Sequence, residues 1–186
     1  NKDFCIRIKS PENHNHIIKD KIQGNVKVNA NEIDDYIIIR SDGTPTFLLS
    51  SAADDFKMKI TDIIRGDDHL TNSFRQKIIF DFLNYKPNFA HISLIHNKDN
   101  QKMSKRDNST SLIDYKMKGY LPEAIINYLA RLGWSYGNQE TFSFDFLKKN
   151  FELDSLGKSP ARYDEKKLNF LNNFYIKKMS NKGIFD

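Results

Sequence analysis

Three cations fall within five residues at Lys102-Met103-Ser104-Lys105-Arg106, inside the longer run His91 to Asp107 (HISLIHNKDNQKMSKRD). Lys102 and Lys105 stand three apart with a small serine between them, so both amines can face one anion. The segment Ile92 to Ile95 ahead of them reads as a short buried strand that empties into a polar, turn-prone loop, Asn97 to Gln101. A loop at the end of a strand can swing cationic groups over a polyphosphate. A departing phosphate gains charge in the transition state, and positioned cations stabilise it most there. Five residues alone fit a solvated basic loop equally well, so the neighbouring elements carry the decision.

A second cation, Arg65, closes the run Lys59 to Ile64 (KITDII), which reads as a buried strand ending abruptly at Arg65-Gly66. Asp67 and Asp68 suit the first turn of a helix, where carboxylates complement the N-terminal dipole. Leu70, Phe74, Ile78 and Phe82 recur every fourth residue, with Ile79 and Leu83 beside them, and predict an amphipathic helix ending near Tyr85, ahead of Pro87. Residues 59–95 therefore read strand, helix, strand, a crossover that implies parallel neighbours with a right-handed connection. Parallel strands end on one edge, so Arg65 and the Lys102–Arg106 loop are expected on one rim, where open α/β sheets bind ligands. Two cationic elements there imply an anionic or phosphorylated ligand. The bland alternative for Arg65 is a structural ion pair with Asp67 or Asp68.

Upstream, Asn1 to Gly24 has no clean period, and its His14 and His16 lack acidic or cysteine companions at a metal-ligand spacing, so they read as surface-loop histidines. Val26, Val28 and Ala30 alternate with polar residues as in a half-buried strand. Tyr36 to Arg40 and Thr46 to Leu49, joined through Ser41-Asp42-Gly43-Thr44, carry a hairpin signal. Ser50 to Phe56 reads as a helix capped by Ser50 or Ser51. After Asp107 the texture becomes helical: Leu112 to Lys118 closed by Gly119, then a helix opened by Pro122 with Ile125, Ile126, Leu129 and Leu132 inward and Gly133 as its stop. Trp134 is expected in the core. Ser143 or Asp145 caps a third helix, and Asp164 a fourth with Leu168, Leu171 and Tyr175 on its apolar face. A polar run from Asn108 to Ser111 suits a linker.

At 186 residues and 21.7 kDa the chain has room for one medium domain or two small ones. No run approaches the ~18 apolar residues of a membrane span, and no signal-peptide pattern opens the chain. The single Cys5 excludes an internal disulfide and a cysteine zinc cluster and suits a reducing compartment, so a cytoplasmic location is expected. The net charge of +5 falls entirely after Asn97, where 16 Lys and Arg face 11 Asp and Glu, against 13 and 13 before it. A basic half on a neutral half suits a polyanionic partner, nucleic acid ahead of membrane. Ordinary surface lysine explains the same balance.

The lysine run matches the KMSKS-type loop of class I aminoacyl-tRNA synthetases, and the agreement extends over roughly residues 36–176. Ser41-Asp42-Gly43-Thr44-Pro45-Thr46-Phe47, Asp54-Asp55, Ile64-Arg65-Gly66-Asp67-Asp68-His69-Leu70, Thr110-Ser111-Leu112, Gly119-Tyr120-Leu121-Pro122-Glu123-Ala124 and Asn127-Tyr128-Leu129 occur in order at family-like spacings. Together they resemble the bacterial glutamyl-tRNA synthetases. The fold class this resemblance implies is α/β plus α. Residues 1–45 would end a connecting insertion, 46–108 would be the second half of a Rossmann-type catalytic domain, and 109–186 an all-helical stem-contact domain.

The resemblance also implies an ATP-dependent ligase, with Mg2+ on the ATP, that makes glutamyl-adenylate and transfers glutamate to the 3′ end of tRNA. Its partners would be glutamate, ATP and the acceptor and inner stem region of tRNA, with a monomer as the default. Lys105 would stabilise the triphosphate, with Lys102, Ser104 and Arg106 supporting it. Arg65 corresponds to an arginine that binds a glutamate carboxylate, a role its guanidinium fork suits. Phe47, Ser51 and His69 correspond to positions lining the amino-acid pocket, although Phe47 lacks the hydroxyl of the tyrosine usual there. No metal or zinc ligands are identified. The second signature of the class, His-x-Gly-His, is absent, and His14-Asn15-His16 lacks the glycine that lets a helix start approach phosphates. The chain therefore reads as an internal piece, expected to be inactive in aminoacylation on its own. The rivals are a glutaminyl-type synthetase, a paralogue that glutamylates a modified base, and a non-catalytic tRNA-binding module.

Overall fold

The structure, a computed structural model, describes residues 4–12, 15–103 and 111–179. The chain divides into two compact units, Asn1–Ile92 and Ser93–Asp186. The first contains, in order, β1 (Ile6–Arg7), β2 (His16–Asp20), β3 (Gly24–Val28), β4 (Ile37–Ile39), α1 (Phe47–Met58), β5 (Asp62–Gly66), α2 (Leu70–Phe82) and β6 (Asn88–Ile92). β1 pairs with β4, and the other strands form a four-stranded sheet in the order β3-β2-β6-β5. β5 and β6 are parallel, with Arg65 opposite His91 and Gly66 opposite Ile92. The expected strand–helix–strand unit is thus present, because the period-four stripe of α2 buries Phe74, Ile78 and Ile79 in a core shared with Ile18, Ile63, Phe80 and Phe89. Phe82, at the end of that stripe, is exposed.

Three expectations in this unit are corrected. The second parallel strand is Asn88–Ile92, not Ile92 to Ile95, because Phe89, Ala90 and His91 supply the buried residues. Thr46 to Leu49 is not a hairpin arm. Only a single bridge, Ile39 to Pro45, follows the turn, and Phe47 opens α1, which precedes the expected start at Ser50 and uses Thr46 as its N-cap residue. Pro45 has no N–H with which to extend a ladder. His16 is not a loop residue. It starts β2, whose inward positions are His16, Ile18 and Asp20, and the sheet therefore draws β2 and β3 from before residue 46. His14 lies outside the described residues.

The second unit contains β7 (Ile95–His96), α3 (Leu112–Met117), α4 (Pro122–Arg131), α5 (Phe144–Asn150), β8 (Ala161–Arg162) and α6 (Glu165–Lys178). It is helix-rich but not all-helical, since β7 and β8 form a parallel pair. The strand leading to the lysine run therefore belongs to this pair and not to the four-stranded sheet. The helix ends follow their side chains. Ser111 and Asp114 close a reciprocal capping box on α3, Ser143 caps α5, and Asp164 caps α6. Leu168 and Leu171 are buried on α6 as expected, and Trp134 packs with Phe142 and Leu147. α4 differs from expectation. Its buried face is Ala124, Asn127 and Tyr128, while Ile126 and Leu129 are exposed. Asn127 can be buried because it is satisfied: it donates to the Glu140 carbonyl at 2.9 Å and accepts from the Phe142 N–H at 2.7 Å and the Tyr175 hydroxyl at 2.6 Å.

Candidate functional site

In the first unit, Arg65 and His69 meet at Ser73, and the Phe47 ring stands beside that of His69. Arg65 is delivered by the end of β5, His69 by a one-turn 3-10 helix (Asp67–His69), and Ser73 by the first turn of α2. The Arg65 guanidinium donates to Ser73 Oγ from Nε at 3.2 Å and also from Nη2. Ser73 Oγ lies 3.2 Å from the His69 carbonyl, and the Phe47 ring stands 6.5 Å from that of His69. Ser51 and Asp55 follow Phe47 by one and two helical turns on the same stripe of α1. Burial lowers the Arg65 pKa from its ordinary value, with Asp55 acting in the opposite direction. The group stays cationic at any physiological pH. Burial raises the Asp55 pKa, against the pull of Arg65.

Behind Ser73 lies a buried polar chain. Its hydroxyl is 2.6 Å from His91 Nε2, and His91 Nδ1 is 2.5 Å from Asp20 Oδ2. Ser73 and His91 are both 0% exposed, and Asp20 is 5% exposed. The N–H groups of Ile22, Gln23 and His91 all donate to Asp20 Oδ1, at 2.9, 2.8 and 3.2 Å. Burial by itself would raise the Asp20 pKa, but the hydrogen bonds from Gln23, His91 and Ile22 outweigh it and hold the carboxyl below its ordinary value. Asp20 is therefore an acceptor only, which places a proton on His91 Nδ1. With Nδ1 carrying a proton, Nε2 is the ring nitrogen that can accept a hydrogen bond from the Ser73 hydroxyl. The order Asp, His, Ser resembles a nucleophilic triad. Ser73, however, is sealed from solvent and its oxygen is engaged by a cation, so it is not placed to attack a substrate.

The lysine run occupies the second unit. β7 leads into a tight turn in which Asn97 Oδ1 accepts from the Asp99 and Gln101 N–H groups at 3.0 and 2.9 Å, and Asn100 adopts φ +62°. Lys102 then pairs back on His96 as an antiparallel bridge, and the Met103 N–H donates to the Ile95 carbonyl at 3.0 Å. Parallel pairing of β7 with β8 supports this turn from the other side. Ser104, Lys105 and Arg106 lie outside the described residues. Among the described residues no group of three or more His, Cys, Asp or Glu could hold a metal ion, and no helix is long and apolar enough to cross a membrane.

Sequence reasoning placed Arg65, Phe47, Ser51 and His69 in one pocket, and the structure brings the first two and His69 together, with Ser51 on the same helical stripe. It missed Ser73, His91 and Asp20. Ser73 stands eight residues after Arg65, in the first turn of the helix that follows the strand. His91 was hidden by setting the strand a few residues too late.

A family model described as tRNA synthetases class I (E and Q), catalytic domain, matches residues 1–170. The chain is 50% identical over 180 residues to glutamate–tRNA ligase 2 of Wolbachia sp. subsp. Brugia malayi (strain TRS), covering 96% of this chain and 40% of that protein. It is 47% identical over 182 residues to glutamate–tRNA ligase 1 of Helicobacter pylori (strain HPAG1), covering 97% and 39%. Among solved structures it resembles a glutamate tRNA ligase from Elizabethkingia meningosepticum in complex with its amino acid, with a TM-score of 0.87 and 35% identity over 97% of this chain and 40% of that one. The chain thus spans about 40% of the length of the curated relatives it matches. The catalytic-domain match extends through most of the stretch expected to form a separate stem-contact domain. On that match, the chain belongs to the class I tRNA synthetases of the E and Q group.

Proposed function

We propose that this chain is the part of a glutamate–tRNA ligase that binds glutamate through Arg65 and contributes the lysine loop to ATP-dependent adenylate formation. In that reaction a carboxylate oxygen of glutamate attacks the α-phosphorus of ATP, a P–O bond forms, and pyrophosphate leaves. A hydroxyl at the 3′ end of tRNA then attacks the acyl carbon and AMP departs. The observation that carries the reading is the arginine: the edge formed by Nε and Nη2 is turned to Ser73, and the remaining N–H groups make a fork matched to a carboxylate. Phe47, Ser51 and His69 would line the same amino-acid pocket. Lys102 and Lys105, with Ser104 and Arg106, would act on the triphosphate, where Mg2+ would arrive with the ATP. The basic excess after Asn97 would meet the phosphates of the tRNA acceptor and inner stem.

Aminoacylation by the full-length protein, with glutamate and glutamine offered against glutamate and glutamine tRNAs, tests this. Transfer of glutamate is expected. Transfer of glutamine would make the protein a glutaminyl-type enzyme. Folded protein that binds tRNA and transfers neither amino acid would leave a binding module in place of a ligase.

A further inference from the structure

Asp20, His91 and Ser73 come from β2, β6 and α2, so three elements place polar groups in line inside the core. Burying such groups is costly unless each is fully hydrogen-bonded, and an apolar core would be the easier solution there. The chain does not end at random: its last member, Ser73 Oγ, receives two N–H groups of Arg65.

The directions of the hydrogen bonds follow from the chemistry of each group. Asp20 only accepts, so His91 Nδ1 donates to it at 2.5 Å. The Ser73 hydroxyl then donates to His91 Nε2 at 2.6 Å, the shorter of the two contacts open to it, the other being the His69 carbonyl at 3.2 Å. With its proton committed, Ser73 Oγ turns its lone pairs to the guanidinium. Nε and Nη2 are held, and Nη1 with the second Nη2 hydrogen remains as a fork of fixed orientation. The Gln23 side chain, donating to the His91 carbonyl at 3.1 Å, ties the β2 turn to the same strand.

We propose that Asp20, His91 and Ser73 form a positioning relay that sets the orientation of the Arg65 guanidinium for an amino-acid carboxylate, an inference that rests on the reading of Arg65 given above. None of the three touches substrate. Their contribution is preorganisation: a fork already aimed does not have to be ordered when the carboxylate arrives.

The test is glutamate-dependent ATP–pyrophosphate exchange by the full-length protein, with separate KM values for glutamate and ATP and a double-mutant cycle between positions 65 and 73. Ser73→Ala is expected to raise the glutamate KM about tenfold, the usual consequence of losing a hydrogen bond to a charged group, and to leave the ATP KM within about twofold. Ser73→Cys keeps the packing and weakens the acceptor, so it should give a smaller rise in the same direction even if the alanine variant folds poorly. Ser73→Thr keeps the hydroxyl and should restore most of the affinity. In an Arg65→Ala background the Ser73 substitutions should add almost nothing, a non-additivity that general destabilisation would not produce. If Arg65→Ala raises the glutamate KM while Ser73→Ala and Ser73→Cys leave it unchanged, or if the two effects add, the relay is overturned and the role of Arg65 stands. If Arg65→Ala itself leaves that KM unchanged, the carboxylate reading falls and the relay with it.

Discussion

Arg65 lies at the end of β5 and Lys102 in the turn that follows β7, and different elements position the two cations. Arg65 is fixed through its side chain, by a line of buried groups that crosses three elements. The Lys102 backbone is placed by the bridge to His96 and the turn that precedes it. The contrast matches what each would have to do. A carboxylate fork needs two N–H groups at a set angle, which only a locked guanidinium offers. An ammonium near a developing phosphate charge acts as a point charge and tolerates more latitude. On the proposed roles, directional recognition would rest on buried side chains and charge placement on the backbone.

The largest expected effect lies at the far end of the relay. Removing one member of a buried, hydrogen-bonded pair usually costs about 3–5 kcal/mol, because the remaining group is left unsatisfied. Asp20→Ala should therefore destabilise the chain by about 3 kcal/mol in denaturant unfolding, far more than an alanine at an exposed pair such as Lys9–Glu12. The pH dependence follows from the depressed Asp20 pKa. A carboxyl that loses its proton more readily folded than unfolded adds stability above its unfolded value, near 3.8, and that stability is lost as pH falls through the lower folded value. Asp20→Asn should thus flatten the acid limb of the stability curve below about pH 4. A stability loss under about 1 kcal/mol for the alanine variant would mean the line of buried groups is not holding the core together.

Arg65→Ala comes next and separates the two units by their kinetic signatures. In the full-length protein it should raise the glutamate KM about a hundredfold, as expected for a charged hydrogen-bonding fork. Arg65→Lys should recover little of this, because an ammonium cannot make the bidentate contact. Lys102→Ala should do the reverse, lowering turnover in adenylate formation about tenfold while the glutamate KM stays within about twofold, since a group felt mainly in the transition state affects kcat. A Lys102→Ala variant whose glutamate KM rises in parallel with that of Arg65→Ala would erase the distinction between the units.

What the sequence revealed and what it hid divide along the same line. The α2 stripe, the Ser143 and Asp164 caps and the Leu168–Leu171 face of α6 were legible because apolar periodicity and capping chemistry are local. The buried polar residues were not. β2 was invisible because its inward positions include His16 and Asp20, which in sequence look like solvated residues. α4 was turned to the wrong face because Asn127, satisfied by Glu140, Phe142 and Tyr175, takes the inward position that Ile126 or Leu129 was expected to fill. The Ser73–His91–Asp20 line joins residues 18 and 71 positions apart, and no spacing rule reaches that far. Arg65, Phe47, Ser51 and His69 are singled out by family resemblance alone, and their roles are those proposed above.

The smallest effect is the most pointed, because it adds a group and removes none. Phe47 is 56% exposed and stands beside His69, in the position where the resembling family usually has tyrosine. A hydroxyl added at the ring's outer end meets no packed core, so Phe47→Tyr should leave unfolding unchanged within about 0.5 kcal/mol, as for most surface substitutions. If the ring borders the amino-acid pocket, the new hydroxyl supplies one neutral hydrogen bond, which lowers the glutamate KM about threefold to fivefold. The ATP KM should not move. An unchanged glutamate KM in a folded, active variant would exclude the Phe47 ring from the pocket and leave Arg65 to select the amino acid without it. A lowered one would show that the unit holding Arg65 gains affinity in directional, single-bond steps, which a cation placed by backbone in the lysine loop would not share.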